Sequence, residues 1–362
     1  MADLNVNSIG DASGGTTTTV NGFTPTASNM AGRNRIINGN FDIWQRGTSF
    51  TSLTSAEFTA DRWNLEASGA TIDVSRQEFT LGQTDVPENP KYFLRYAVTT
   101  GNDNSRIVQK IEGVSTFAGQ TVTLSYWARH SSGILPTGLQ ARLRHEFGSG
   151  GTPSSTVYVA GSNINLTSSW QKFTQVFTVP SVSGKTLGTA GNDYLGVNLM
   201  WQIGSETSAY TIDIAQVQLE AGSVATPFCP AGGGSYGAEL ALCQRYCFAW
   251  RTDSLGYTQY GRFPPAFVAS TTSCNTDIFL PQPMRSTAYS LTYNNKAFEE
   301  YYQTGAGATG STITLNTDAN GTSWVNVTFT LSGSALNTSQ GLVCGIRYTN
   351  ATDAALIIST EL

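Results

Sequence analysis

Charged side chains are scarce in this sequence: they make up 12% of the chain, about half of the ~25% that is usual for soluble proteins. The 20 basic residues are outnumbered by 25 acidic ones, which gives a formal net charge of −5. Proteins that bind DNA or RNA need a basic surface to neutralise phosphates. We therefore expect no nucleic-acid partner.

Long apolar runs are also missing. No stretch approaches the ~20 apolar residues that a membrane-spanning helix needs. The opening MADLNVNSIG lacks both the basic and the apolar region of a secretory signal peptide. We therefore expect that the protein is made in a cytoplasm and does not insert into a membrane.

Cysteine and histidine are too few for most of their usual roles. The chain has five cysteines, all after residue 228, and two histidines. This odd number argues against a disulfide framework. Cys243 and Cys247 are one helical turn apart but lack the partners of a zinc site, so we expect buried thiols.

Catalytic motifs are absent as well. His130 and His145 lie outside any nucleophile motif, and the sequence contains no HExxH or Walker loop. These absences predict that the protein is not an enzyme. One route stays open, because two of the scattered carboxylates would suffice for glycoside hydrolysis.

The sequence is rich in short segments that alternate between apolar and polar residues. In TVTLSYWAR (121–129) apolar side chains occupy one face of a strand, and in ARLRHEF (141–147) they face the opposite way from the charged ones. Within residues 211–220 the apolar parity switches, which predicts a β-bulge near Ala215 and Gln216. Many such strands predict an all-β protein with a jelly-roll β-sandwich.

Changes in composition divide the chain into four segments. Residues 1–33 are small, polar and rich in turns, and they cannot bury a core alone. Residues 34–228 carry the strands of the jelly-roll module. Residues 229–255 form a linker and a short helix, predicted over 236–250 from apolar residues at helical spacing. Alternation resumes in residues 256–362 and predicts a second, smaller β-sandwich.

Five motifs occur in a fixed order in the central segment: INGNFDIW (37–44), IVQKIEG (107–113), TVTLSYWAR (121–129), SSWQKFT (168–174) and IDIAQVQLEAGSVATPF (212–228). Together they resemble the jelly-roll carbohydrate-binding modules that are attached to many glycan-degrading enzymes. The resemblance covers most of residues 34–228 and implies a sugar-binding fold.

A second resemblance spans nearly the whole chain. NRIINGNFDIWQRGTSFT with FTADRW (58–63), and QLEAGSVATPF leading into ELALCQRY (239–246), are similar to tail-fibre proteins of phages and prophages. IGDASGG…VNGFTPT…GRNRIINGNF (9–41) is similar to the start of marine and cyanobacterial phage fibres, and LPQPMR (280–285) to a distal β-domain. The resemblance implies a homotrimer in a virion, made in the bacterial cytoplasm, with residues 1–33 docked on other virion proteins.

Two of the alternating strands supply a candidate carbohydrate site. Trp127 and Arg129 share one polar face, and Arg142, Arg144 and Glu146 share another. If the two strands are aligned on one sheet, these residues form a surface with a ring for the apolar face of a sugar and donors for its hydroxyls. Alternatively, the charged residues solvate the surface and Trp127 packs on a neighbouring subunit.

Four other tryptophans are expected in the core, either because they lie inside the motifs or because they share parity with apolar residues: Trp44, Trp63, Trp170 and Trp201.

Calcium is the one cofactor that the resemblance raises. The family often holds it near the first and last strands, and Asp42 and Asp213 fall near the matching positions. Ala215 and Gln216 stand where the family often has acidic residues. Calcium prefers six to eight oxygen ligands, so these two carboxylates are only part of a site.

The sequence therefore predicts a structural fibre subunit of a bacteriophage that adheres to a host-surface glycan or receptor. Two alternatives stay open: a collar, head or tail decoration protein without receptor contact, and a polysaccharide depolymerase.

Overall fold

A computed structural model describes residues 32–101, 105–135, 138–201, 208–251, 264–270, 272–294, 298–300, 309–316, 320–332, 343–344, 346–348 and 355–362. The chain divides into two compact units. The first ends at Glu239 and includes Leu362, and the second spans Leu240–Glu361. The division falls inside the segment 229–255 that composition marks as a connector. Nearly all of the predicted attachment segment, 1–33, lies outside the described residues.

The first unit contains two antiparallel sheets of six strands each, numbered here in chain order. Sheet A contains, from edge to edge, β1 (Ser49–Leu53), β4 (Thr71–Glu78), β5 (Tyr92–Thr100), β12 (Tyr210–Ala221), β7 (Thr121–Gly133) and β10 (Gln171–Thr178). Sheet B contains β2 (Glu57–Phe58), β3 (Trp63–Glu66), β6 (Arg106–Glu112), β11 (Tyr194–Trp201), β8 (Gln140–Glu146) and β9 (Val157–Asn163).

Alternation along the strands places one hydrophobic core between these sheets. Val122, Leu124 and Tyr126 of β7 are fully buried, and Leu143 of β8 packs into the same cluster from sheet B. Burying each such side chain contributes roughly 1.5–3 kcal/mol. The predicted jelly-roll β-sandwich is confirmed, as is the predicted orientation of both strands.

The β-bulge predicted in β12 is present. The register between β12 and β7 shifts between Ala215 and Gln218, and Gln216 has φ of 49°. A β-bulge inserts one unpaired residue and reverses the side-chain parity beyond it. Val217 and Leu219 therefore reach the core, as Ile212 and Ile214 do on the other side of the bulge.

A tight turn at Asn38 and Gly39 connects the start of the module to this bulge. The Asn38 side chain accepts from the Ile43 amide at 3.0 Å and donates to the carbonyls of Ile43 and Asp61. The Val217 amide donates to the Gly39 carbonyl at 2.8 Å. A Cβ at Gly39 would lie 2.1 Å from the Val217 carbonyl oxygen, so only glycine fits this close approach.

The helix is shorter than predicted. Helix α1 spans Tyr236–Gln244, whereas the prediction extended it to residue 250. Residues Cys247–Arg251 form strand β13 instead and pair with β22, Ala355–Ser359. Strand pairing with residues more than a hundred positions away overrides the local helical spacing, which a single segment cannot reveal.

Two further sheets build the second unit. Sheet C contains β13, β22 and β16 (Ser290–Asn294) in that order. Sheet D contains β20 (Val343–Cys344), β14 (Ala266–Val268), β15 (Ser273–Phe279), β19 (Trp324–Ser332), β18 (Thr309–Leu315), β17 (Phe298–Glu300) and β21 (Ile346–Tyr348).

The second unit has its own core. Leu356 and Ile358 of sheet C pack in one buried cluster with Val325, Val327 and Phe329 of sheet D. This cluster confirms the second, smaller β-sandwich.

The cysteines occupy buried positions, as expected. Cys243, Cys247 and Cys274 are fully buried, and Cys229 is partly buried. The side chain of Cys344 lies outside the described part of the chain. Among the described residues, no helix has the length and apolar character required to span a membrane.

Candidate functional site

The predicted sugar surface is divided between two sheets. Trp127 and Arg129 lie on β7 in sheet A, whereas Arg142, Arg144 and Glu146 lie on β8 in sheet B. The hydrogen-bonded neighbours of β7 are β12 and β10, and those of β8 are β11 and β9. Because the two sheets face each other across the core, their outer faces point apart. The prediction of one continuous surface is therefore wrong, and each face has to be considered separately.

Arg129 is held in an ion-pair cluster on the outer face of sheet A. The Asp213 carboxylate is fully buried and accepts from Arg129 Nε at 2.9 Å. It also accepts from Arg95 Nε at 2.7 Å and Arg95 Nη2 at 3.0 Å. The hydrogen bond to Asp213 raises the pKa of Arg95 above its usual value. Arg129 thus serves to neutralise a buried charge.

Trp170 belongs to the same face and not to the core. Its ring centroid is 5.2 Å from that of Phe79 and 5.4 Å from that of Phe93, and the Arg129 guanidinium lies 5.0 Å from it. The prediction that Trp170 is a core residue is wrong, because Trp170 lies directly before the edge strand β10 and its ring joins this outer aromatic cluster. Trp44 and Trp63 are buried as predicted, and the Trp201 side chain lies outside the described residues.

The two predicted calcium ligands have different surroundings. Both Asp213 oxygens accept from arginine, which does not fit a calcium ligand. Asp42 accepts from Asn40 Nδ2 at 3.0 Å and shares a small cavity of about 90 Å³ with Glu239. Burial raises the pKa of the Asp42 carboxyl and that of the Glu239 carboxyl. Within the described residues, no group of three or more His, Cys, Asp or Glu is placed to hold a metal, and calcium at Asp42 stays a prediction.

The outer face of sheet B carries a network centred on Arg144. Its guanidinium lies 5.4 Å from the Tyr194 ring centroid and 5.8 Å from that of Tyr158. Nη2 is 2.6 Å from Glu146 Oε2, and Nη1 is 3.6 Å from Glu66 Oε1. Burial acts to lower the pKa of Arg144, but the neighbouring tyrosines and carboxylates raise it overall. Arg144 is therefore a fixed cation between two rings and two carboxylates.

Exposure differs between the two rings. Tyr158 on β9 is 44% exposed, so part of its ring faces solvent. Tyr194 on β11 is buried, and burial raises its pKa above the usual range. The Tyr194 hydroxyl therefore stays neutral, and the Tyr194 ring contacts the Arg144 guanidinium.

Two asparagines on this face have acceptors without partners. Four residues lie side by side across this sheet. From β3 through β6 and β11 to β8 they are Asn64, Val108, Asn198 and Arg142. The Oδ1 atoms of Asn64 and Asn198 are buried and accept no hydrogen bond, although Asn198 Nδ2 donates to the Arg142 carbonyl at 3.2 Å. Buried polar groups normally find partners, so these two oxygens are exceptions among the described residues.

A glycine also lies on this face. Gly196 lies between Lys110 and Arg144 in the register. A Cβ at this position would lie 3.2 Å from the Tyr194 ring and 3.4 Å from the Arg144 Cβ. The absence of a side chain at Gly196 therefore lets Tyr194 and Arg144 pack closely over the buried backbone of β11.

Sequence reasoning found the β8 residues of this face but missed Tyr158, Tyr194, Asn64 and Asn198. The parity of β8 is visible in seven consecutive residues. The missed residues come from β3, β9 and β11, whose positions beside β8 depend on long-range pairing. Their polar parity within each strand was the only available signal.

No family model matches this chain, and no curated protein matches it either. Partial similarities exist among solved structures. One, titled CBM4 structure and function, is 18% identical and covers 51% of this chain and 99% of its own, with a TM-score of 0.30. The CBM22-1 xylan-binding domain from Paenibacillus barcinonensis Xyn10C is 13% identical and covers 49% and 98%, with a TM-score of 0.31.

A third similarity is to the enzymatically active domain of tailspike protein 4 from Bacteriophage CBA120. It is 15% identical and covers 52% of this chain, with a TM-score of 0.30. The match covers 21% of the tailspike chain, about a fifth of its length. At these scores the similarities carry no information on what this chain binds.

Proposed function

We propose that this protein is an adhesion subunit of a bacteriophage fibre and that it binds a host-surface glycan on the outer face of sheet B. The observation that carries the binding site is the position of Arg144 between the Tyr158 and Tyr194 rings, with Glu66 and Glu146 on either side. Exposed rings and a few fixed polar groups are what recognises sugars.

Each group has a defined partner in a bound sugar. The apolar face of a pyranose stacks on the exposed Tyr158 ring. Sugar hydroxyls accept from Arg142 and Arg144 and donate to the carboxylates of Glu66 and Glu146. Because ion pairs already fix Arg144, binding loses little side-chain entropy.

Binding without catalysis is what the carboxylates favour. Glu66 and Glu146 both pair with Arg144, and Glu66 also pairs with Arg106. These contacts engage both carboxylates with arginine, whereas a glycosidase needs one carboxyl group that is free to donate a proton to the leaving group. The rival depolymerase would release reducing sugar from host polysaccharide, and we expect none.

The fibre part of the proposal rests on the sequence motifs and on chain composition. Residues 1–33 dock on other virion proteins, and three chains associate into a homotrimer. Each chain contributes one sugar face, so three weak contacts combine by avidity. Light scattering of the full chain is expected to give three times the 38.6 kDa monomer mass. A monomeric mass would contradict the trimer and leave the glycan site standing.

Binding to a panel of immobilised bacterial envelope polysaccharides tests the site. We expect the full chain to bind at least one member, and Tyr158→Ala to bind it at least tenfold more weakly with an unchanged melting temperature. Tyr236→Ala is the matched control, because Tyr236 is a 61% exposed tyrosine outside sheet B, and it should bind normally. Equal affinity of Tyr158→Ala and the wild type, or no binding by the wild type, would overturn the proposal.

A further inference from the structure

A cleft of about 430 Å³ lies on the outer face of sheet A, on the side of the sandwich opposite the Arg144 network. Its lining includes Trp127 of β7 and Lys172 of β10, which lie directly opposite each other in the register. The loop before β5 contributes Glu88, and the segment after β12 contributes Phe228. The volume lies within the roughly 300–1,000 Å³ range of small-molecule sites.

Gln216 provides an unsatisfied polar group at this cleft. The β-bulge places its side chain among the lining residues, where it is 3% exposed. Nε2 donates to the Pro87 carbonyl at 2.8 Å, which fixes the orientation of the carboxamide. Oε1 is buried and accepts no hydrogen bond. A buried acceptor that makes no hydrogen bond costs free energy. A ligand that donates an N–H or O–H to Oε1 therefore gains affinity.

Three non-glycine residues at or next to this cleft have positive φ. Gln216 has φ of 49°, and the adjacent loop residues Glu88 and Asn89 have φ of 66° and 47°. Non-glycine residues adopt this left-handed conformation at a cost. The bond from Gln216 to Pro87 ties the two strained segments together, so the cleft is formed before a ligand arrives.

The lining defines the chemistry of the ligand. Lys172 and Glu88 carry opposite charges, which favours a neutral molecule. The Trp127 ring offers a flat apolar surface, and Pro227 and Phe228 add an apolar wall. A hydroxyl held against that wall would lose its hydration without gaining a partner. A methyl group would be accommodated there without that loss.

From these features we infer that the cleft is a second binding site, for a neutral N-acetylated sugar. The pyranose ring stacks on Trp127, the acetamido N–H donates to Gln216 Oε1, and the acetamido methyl packs against Pro227 and Phe228. This site uses none of the residues of the sheet B face and is independent of the glycan proposed there.

Isothermal titration of the full chain with the methyl glycosides of N-acetylglucosamine and of glucose tests this assignment. We expect N-acetylglucosaminide to bind at least tenfold more tightly than glucoside. Trp127→Ala removes the stacking surface, and Gln216→Asn withdraws the amide oxygen while keeping a residue that tolerates positive φ. Each is expected to weaken binding at least tenfold, with melting temperature reported alongside.

Two control variants separate the sites. Thr178→Ala changes an exposed residue on β10 outside the cleft, and Tyr158→Ala changes the sheet B face; both should bind N-acetylglucosaminide like the wild type. The inference is overturned if the wild type does not bind N-acetylglucosaminide, if glucoside binds equally well, or if folded Trp127→Ala keeps full affinity. Loss of binding in Tyr158→Ala alone would assign the sugar to sheet B instead.

Discussion

Arg95 Nε and Nη2 donate to the two carboxylate oxygens of Asp213 at 2.7 and 3.0 Å. Asp213 is fully buried, while Arg95 is about a third exposed. Asp213→Asn leaves a neutral amide facing two cations, Arg95 and Arg129. Removing one partner of a buried pair costs 3–5 kcal/mol; since both arginines can regain water, we expect about 2 kcal/mol less stability. Urea denaturation measures this loss, and Asp85→Asn at an exposed site should change nothing.

Calcium is tested by comparing the two aspartates. If Asp42 holds calcium, a chelator lowers the melting temperature of the wild type and of Asp213→Asn but not that of Asp42→Asn. This pattern follows because both Asp213 oxygens are already occupied by arginine, whereas Asp42 lies at a small cavity with Glu239. A melting temperature that is unchanged by chelator in all three proteins would remove calcium from consideration.

Local patterns predicted the strands and their faces well. The parity of β7 and β8, and the bulge at Ala215 and Gln216, follow from residues that are neighbours in the sequence. The assignment of β7 and β8 to different sheets could not be predicted, since it depends on pairing with β12 and β11, many residues away. The predicted surface of Trp127 with Arg144 was wrong because of this long-range pairing.

The same distinction explains the candidate sites. A helical spacing over 236–250 looked continuous, yet its last residues pair with a distant strand, and local propensity gives way to such tertiary contacts. Gln216 was identified as a bulge residue, but the cleft it lines requires Pro87 and Phe228 from two separate loops. Side-chain parity is local information, whereas a binding site is assembled from several segments.

Gly39 is expected to tolerate no side chain. In Gly39→Ala the new Cβ would lie 2.1 Å from the Val217 carbonyl oxygen, so the turn at Asn38 has to move away from β12. Backbone displacement in a packed region costs typically 1–3 kcal/mol, and we expect a comparable loss by urea denaturation. Gly82→Ala is the matched control in space, because nothing lies within 4 Å of its Cβ position, although its positive φ adds a small strain of its own. Equal effects of both substitutions would contradict the proposed clash.

His145 makes stability depend on pH. It is 1% exposed on the core face of β8, neither ring nitrogen has a hydrogen-bond partner, and burial lowers its pKa below the usual 6.5. Below about pH 6.5 the unfolded chain binds a proton that the folded chain resists. The free energy of unfolding therefore falls as the pH drops from 6.5 toward the lowered pKa of His145. Above pH 6.5 His145 is neutral in both states and causes no such loss of stability.

His145→Leu removes both the titration and the unpaired nitrogens. We expect a gain of about 1 kcal/mol at pH 7.5, because no buried polar group is left unsatisfied, and a larger gain at pH 5. The raised pKa values of Asp42 and Glu239 act oppositely, stabilising the fold as the pH falls, but they affect both proteins equally and cancel in the difference. His130→Gln should follow the wild type, since His130 is only partly buried and bonds the Ser132 carbonyl. Parallel curves for wild type and His145→Leu between pH 7.5 and 5 would show that His145 protonates without resistance in the folded state.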